Sequence, residues 1–269
     1  MDLLINISQI AIITGDNPYK NKKDFLIEYW EKYNKKDYEE CKNNSNFVKL
    51  DDSMIIENIS KKNKLDISVD IKKCMETKNT EELNQLKRKM SDKMKDLSND
   101  EKKEITKSLN NITNTNFGTR NEMDVTKIYE NMTNSTIIKD DKYRVKKVIN
   151  TELFSIRIGG KIDGINKDNN CIIEVKNRVN RLFYTLKNYE KVQIMCYIYL
   201  FGEKRGHLVE AFRKKDSCDI NIIEVLYDEN YINYIIEKLH NFGLYFYKFM
   251  NDKSIRLNIL NNSSDIDYI

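Results

Sequence analysis

At 269 residues and 32.0 kDa the chain suits one large domain, or one domain carrying a sizeable insertion. Hydrophobic residues at 40% and aromatics at 10% are enough for a core and exclude wholesale disorder. A mean hydropathy of −0.67, with no apolar run near the roughly 20 residues of a membrane span, excludes that class too. A net charge of +4 leans only mildly toward a polyanionic partner, because the abundance of Lys, Asn and Ile looks like AT-rich coding, which raises lysine whatever the function.

The opening residues, Met1 to Asn6, show neither the basic segment nor the cleavage site of a signal peptide, so a soluble, intracellular, non-secreted chain is expected. Leu4 to Ile13 is an apolar stretch that reads as helix. Gly15 to Tyr19 is a turn holding Pro18, the only proline, and a second helix runs from Lys23 to Trp30. Residues 33–113 change character: Lys, Glu, Asp and Asn dominate and Gly and Pro are absent. Two helices are legible there, about 79–97 (Leu83, Leu86, Met90, Met94) and about 100–112 (Ile105, Leu109, Ile112), with Ser98 to Asp100 as the cap between them. The segment is expected to be a charged helical insertion with a solvated face; clamping DNA with its lysines is the sharper alternative.

Residues 117–133 predict a helix opened by Phe117-Gly118-Thr119. From 152 to 176 the period drops to two, with Phe154, Ile156 and Ile158 alternating with Ser155 and Arg157. Gly160-Lys161-Ile162-Asp163-Gly164, a turn at 166–170 and Cys171 to Lys176 complete a predicted β-hairpin. A helix over 181–201, strands over 208–212 and 220–226 and an amphipathic closing helix over 230–250 follow. This order predicts an α/β (α+β) fold with helices around one mixed central sheet.

Cysteine and histidine chemistry finds little room. The five cysteines are scattered without a Cys-x-x-Cys pair, and only His207 and His240 are present. That leaves disulfide frameworks, zinc ribbons, four-cysteine iron–sulfur clusters and a Ser-His-Asp triad unsupported. The informative stretch is Asp163-Gly164 with Glu174-Val175-Lys176. In a strand, i and i+2 share a face, so Glu174 and Lys176 point together while Val175 turns inward. Asp163 can reach the same spot across the hairpin, and two converging carboxylates with a lysine suit a hard cation such as Mg²⁺ and phosphodiester hydrolysis. The triplet alone carries nothing, since Glu40-Cys41-Lys42, Glu76-Thr77-Lys78 and Glu101-Lys102-Lys103 also occur. Of these, only Glu174-Val175-Lys176 ends an apolar strand.

Read together, three blocks resemble the PD-(D/E)xK nuclease superfamily, and within it the YqaJ-like viral recombinase and phage lambda-type exonuclease group. The first is Ile7 to Tyr19 with the Tyr29-Trp30 helix; the second is Phe117 to Glu122 continuing to Tyr129-Glu130. The third joins Asp163-Gly164, Glu174-Val175-Lys176 and Gln193-x-x-x-Tyr197. The resemblance covers about 1–32 and 114–250 and leaves the middle segment unmatched. It implies a restriction-endonuclease-like core (1–32 and 114–269) and a Mg²⁺-dependent DNA exonuclease, with Mn²⁺ able to substitute. Such an enzyme digests linear duplex from the 5′ end in viral or phage recombination.

By the same resemblance Asp163, Glu174, the Val175 carbonyl and Glu122 hold metal, Lys176 assists the attacking water, Gln193 orients the site and Ser8 lies near the terminal phosphate. Arg120 and Tyr197, inside the matching motifs, join the DNA-binding candidates. So do Arg178, Arg181, Lys187 and Lys191, for which solvated charge is the equal alternative. The first basic residue is Lys20, which binds phosphate as a point charge and not bidentately. Duplex DNA ends, a single-strand annealing protein and a homo-oligomer are the partners implied. A RecB-like single-strand nuclease, a structure-specific endonuclease and a catalytically decayed DNA-end-binding module are the alternatives.

Overall fold

The computed structural model describes residues 1–45, 47, 50–120, 122–139, 142–262 and 266, the side chains of 119 and 120 apart. The chain opens with strand β1 (Asp2–Asn6) and then helices α1 (Ile7–Thr14), α2 (Lys22–Tyr33) and α3 (Lys35–Asn43). Four helices follow: α4 (Asp52–Asn63), α5 (Ser68–Glu76), α6 (Thr80–Lys93) and α7 (Asn99–Arg120). Next come α8 (Glu122–Thr133) and strands β2 (Ile137–Ile138), β3 (Arg144–Asn150), β4 (Ser155–Gly160), β5 (Gly164–Asn166) and β6 (Cys171–Arg178). Helix α9 (Asn188–Phe201), strands β7 (Arg205–Arg213) and β8 (Cys218–Leu226), and helices α10 (Glu229–Asn251) and α11 (Lys253–Asn261) complete the order. The α/β class is as expected, and no helix among the described residues is long and apolar enough to cross a membrane.

Several elements differ from the sequence pattern for physical reasons. The apolar stretch Leu4 to Ile13 is a strand and then a helix: β1 pairs in parallel with β4, Leu3 opposite Ile156 and Ile5 opposite Ile158. A short apolar run buried on all sides fits either period, and the partner strand decides. Gly118 lies inside α7 and does not open a helix. The strand expected over 154–164 breaks in two, and its halves join different sheets: three strands ordered β1-β4-β3, and five ordered β2-β5-β6-β7-β8. The hairpin is therefore β5–β6, with Gly164 opposite Ile173. Residues 181–187 are not helical, and α9 begins at Asn188.

Asparagine and aspartate start many of the helices. Asn21, Asn34, Asp51, Asn79, Asp228 and Asp252 each accept a backbone N–H of the helix that follows. Ser98 and Glu101 form a reciprocal capping box at α7, Oγ taking the Glu101 N–H and Oε2 taking the Ser98 N–H.

The main core lies between the three-stranded sheet and α1, α2, α9 and α10, with Trp30, Tyr29, Phe25, Phe242, Phe246 and Phe249 fully enclosed. Helix α3 belongs to it through Tyr38 and Cys41. Helices α4 to α7 enclose a second core around Cys74, Leu83, Met90 and Ile105, so this stretch is more than the two-helix hairpin legible in the sequence. It docks on the end of β6, where Asn177 Nδ2 donates to the Gly118 carbonyl at 2.8 Å and Asn84 Nδ2 to that of Val179 at 3.4 Å. Helix α8 lays Val125 and Tyr129 on Cys171, Ile173 and Val175, one face of β6.

Gly243 inside α10 lets the Phe154 ring approach the helix backbone: a Cβ there would sit 2.3 Å from Phe154 Cε2. Gly243→Ala is expected to lower unfolding free energy by about 1–3 kcal/mol, read from urea denaturation. An unchanged midpoint would contradict this packing.

Candidate active site

Strand β6 carries the site because it is apolar on both faces until its last turns. Cys171, Ile173 and Val175 meet α8, while Ile172 enters the main core on the other side. On that second face the alternation continues as Glu174, Lys176 and Arg178, placing three charged groups in a row against α9. Such groups persist in low-dielectric surroundings only if each is paired.

The pairing is specific. Lys176 Nζ donates to Glu174 Oε1 at 2.8 Å and to Gln193 Oε1 at 2.9 Å, and Gln193 Nε2 donates to the same Glu174 oxygen at 2.8 Å. Asp163, in the bend between β4 and β5, accepts the Val175 N–H on Oδ2 at 2.7 Å. The bend is tight: a Cβ at Gly164 would strike Ile137 Cγ2 at 2.4 Å, and one at Gly160 would strike Tyr197 Cε1 at 2.7 Å. Asp163, Glu174, Lys176 and Gln193 thus meet at one place, from one strand, one helix and a bend.

Burial pushes the Glu174 carboxyl up to about 7, against the pull of Lys176, and pushes Asp163 up to about 6 against the Val175 N–H. For Lys176 burial pulls down, but Glu174, Asp163 and Glu190 outweigh it and the ammonium is raised. Glu122, at the start of α8, is raised by its own burial and by the Glu174 charge. Two acids share one ammonium, so the site holds more negative charge than it can comfortably ionise.

That deficit fits a hard divalent cation. Among the described residues, Glu174 Oε2 and Asp163 Oδ1 have no hydrogen-bond partner, so each acid keeps an oxygen for a ligand. Mg²⁺ takes a few carboxylate oxygens and retains waters, which such a donor set allows. Among the described residues no three His, Cys, Asp or Glu side chains are gathered as a ready cluster. Glu122 is felt at the site through its charge, which helps to raise Asp163.

The remaining candidates divide. Ser8 is exposed near the start of α1, next to Ile7, whose Cβ lies 3.4 Å from the place a Gly160 Cβ would take. Arg181 is exposed and Lys187 is half-buried, its Nζ donating to Thr185 Oγ1 at 3.1 Å. The Arg120 side chain lies outside the described residues. Two of the DNA-binding candidates are buried. Tyr197 is 5% exposed, packed in the main core with its ring against Gly160. Arg178 is 7% exposed, its guanidinium spent on two buried acids.

That guanidinium forms the network the sequence reading missed. Arg178 Nη1 and Nη2 donate to Glu190 at 2.6 and 3.1 Å, and Nε donates to Glu210 at 2.8 Å. Glu210 also accepts the Phe183 and Tyr184 N–H groups and Asn221 Nδ2. Glu190 and Gln193 are three apart on α9, as Arg178 and Lys176 are two apart on β6, so strand and helix are joined by two polar rungs. The signal was present: Arg178 continues the period-two face of Glu174 and Lys176.

No family model matches the chain, and no curated protein matches it. Among solved structures, a phage-related exonuclease from Haemophilus somnus 129PT is similar at 15% identity and a TM-score of 0.42, covering 51% of this chain and 72% of that one. An alkaline exonuclease from Laribacter hongkongensis is similar at 16% identity and a TM-score of 0.40, over 52% of this chain and 73% of its own. The same exonuclease in complex with dAMP aligns at 13% identity and a TM-score of 0.40, over 65% and 87%. At these scores function rests on the side chains of the site and not on the likeness.

Two outcomes are expected. Arg178→Met strands two acids in the interior and should destabilise the fold by about 3–5 kcal/mol in urea denaturation; a merely solvated arginine would leave the midpoint in place. Because Asp163 and Glu174 titrate above their unfolded values, the stability they contribute is complete below about pH 4 and is lost as pH rises through about 6 and 7. EDTA-treated protein should therefore melt lower at pH 8 than at pH 5.5. Excess Mg²⁺ should recover the difference at pH 8, and Glu174→Gln should shrink it.

Proposed function

We propose that the chain is a Mg²⁺-dependent deoxyribonuclease that degrades linear duplex DNA from its ends, 5′ to 3′, in viral or phage-type recombination. The observation that supports this reading is the meeting of Asp163, Glu174, Lys176 and Gln193 at the end of a strand buried on both faces. The PD-(D/E)xK resemblance predicts this grouping by residue type and spacing.

Each side chain has work suited to its surroundings. Asp163 and Glu174 would hold the cation, with the Val175 carbonyl and Glu122 in support. The bound ion supplies Lewis-acid polarisation of a phosphoryl oxygen and lowers the pKa of its water. Lys176 keeps its proton, raised by the acids around it, so it serves as a fixed positive charge that orients the attacking water and stabilises charge developing on the phosphorane. Gln193 bridges Lys176 and Glu174 and fixes both rotamers before substrate arrives, so little reorganisation remains for the chemical step. Ser8, exposed near the start of α1, would meet a terminal phosphate, as the resemblance implies. A homo-oligomer acting with a single-strand annealing protein inside the cell completes the proposal.

The test is digestion of end-labelled linear, nicked and closed circular duplex in Mg²⁺ or Mn²⁺. Nucleotides should be released from linear duplex alone, with activity abolished by EDTA and reduced at least about 10²-fold by Lys176→Ala, the loss typical when a preorganised charge-stabilising group is removed. Equal cutting of closed circles would replace the exonuclease with an endonuclease. Undiminished activity in Glu174→Ala would remove the site altogether.

A further inference from the structure

The segment between β6 and α9 carries an unusual residue. Tyr184 has φ +57°, the left-handed region that a bulky side chain rarely occupies, yet its ring is 68% exposed. A strained backbone that presents an aromatic ring to solvent adds nothing to the core. It persists because the surroundings impose it: the fully buried Glu210 accepts the Phe183 N–H on one oxygen at 3.1 Å and the Tyr184 N–H on the other at 2.9 Å. Glu210 stands opposite Lys176 in the β6–β7 register, so the same carboxylate that engages Arg178 fixes this loop one strand from the candidate active site.

The ring's neighbours are cationic. A cleft of about 460 Å³ is lined by Arg181, Phe183, Tyr184, Lys187, Lys214 and Asp219, among others. Lys214 and Asp219 neutralise one another at 2.7 Å. Arg181 and Lys187 have no acidic partner among the described residues, and Lys187 Nζ sits 4.9 Å from the Phe183 ring centre. An exposed aromatic face sharing a cleft with two uncompensated cations suits a nucleobase with its flanking phosphates.

We propose that residues 181–187 form a ledge for single-stranded DNA, with Tyr184 stacking on one base and Arg181 and Lys187 meeting the phosphates on either side. The ledge rests on the nuclease reading and deepens it: a strand leaving or entering the site is held as an unpaired strand, through a base face and without regard to sequence. Glu210 preorganises the ledge, so its backbone is already set when DNA arrives.

The test uses the full chain in EDTA, where no hydrolysis competes. Anisotropy is measured with a labelled single-stranded oligonucleotide of mixed sequence and with an abasic strand of equal length. Tyr184→Asn, a residue that tolerates the left-handed backbone, should weaken binding of the mixed strand about 5- to 100-fold, leave the abasic strand unchanged and keep or raise Tm. Tyr184→Trp should retain affinity. Equal losses on both strands, or none, would overturn the ledge. A chain that degrades DNA in Mg²⁺ while Tyr184→Asn binds normally sinks the ledge alone; one whose binding follows Tyr184 but never hydrolyses DNA sinks the nuclease reading alone.

Discussion

The burial of Glu174 governs the arrangement of this protein. A carboxylate 5% exposed at the end of an apolar strand must be neutralised, paired or given a cation, and everything around it answers that demand. Lys176 supplies the charge and Gln193 supplies both a donor to the acid and an acceptor to the lysine. Since Gln193 comes from α9, satisfying Glu174 also fixes where that helix lies on the sheet. Arg178 with Glu190 repeats the device further along, and Glu210 extends it to the loop beyond.

The two rungs differ in what they leave over. At Arg178 three groups are fully engaged, and the Glu210 carboxyl is held below its ordinary range, the hydrogen bonds and charges around it outweighing burial. At Lys176 the acids are raised and two of their oxygens stay without a hydrogen bond among the described residues. The first is a closed structural lock; the second is an open one with ligand-binding capacity. Neighbouring residues of one strand thereby sit in two different settings, one closed by full pairing and one with carboxylate oxygens to spare.

The helical stretch α4 to α7 meets the site indirectly. Its second core is apolar and takes in Val179 from just beyond β6, while amide contacts from Asn84 and Asn177 add a polar link. The asparagine content that inflates the composition is put to similar use at helix starts, where its side chain replaces a missing backbone acceptor.

The sequence alone determined what depends on local spacing: the apolar strand ending in Glu174-Val175-Lys176, the Asp163-Gly164 bend, the cap at Ser98 to Asp100, the amphipathic α10 and the α/β class. These follow from neighbours a few residues apart, which the chain writes directly. Only the tertiary structure decided that Leu3 and Ile5 are strand, since a buried apolar run takes its form from the strand beside it. Likewise it alone decided that β4 and β5 part into two sheets, that Arg178 turns inward and that Tyr197 is core. Whether a charge faces water or a buried acid depends on residues such as Glu190 and Glu210, 12 and 32 positions away, and that distance is closed only by folding.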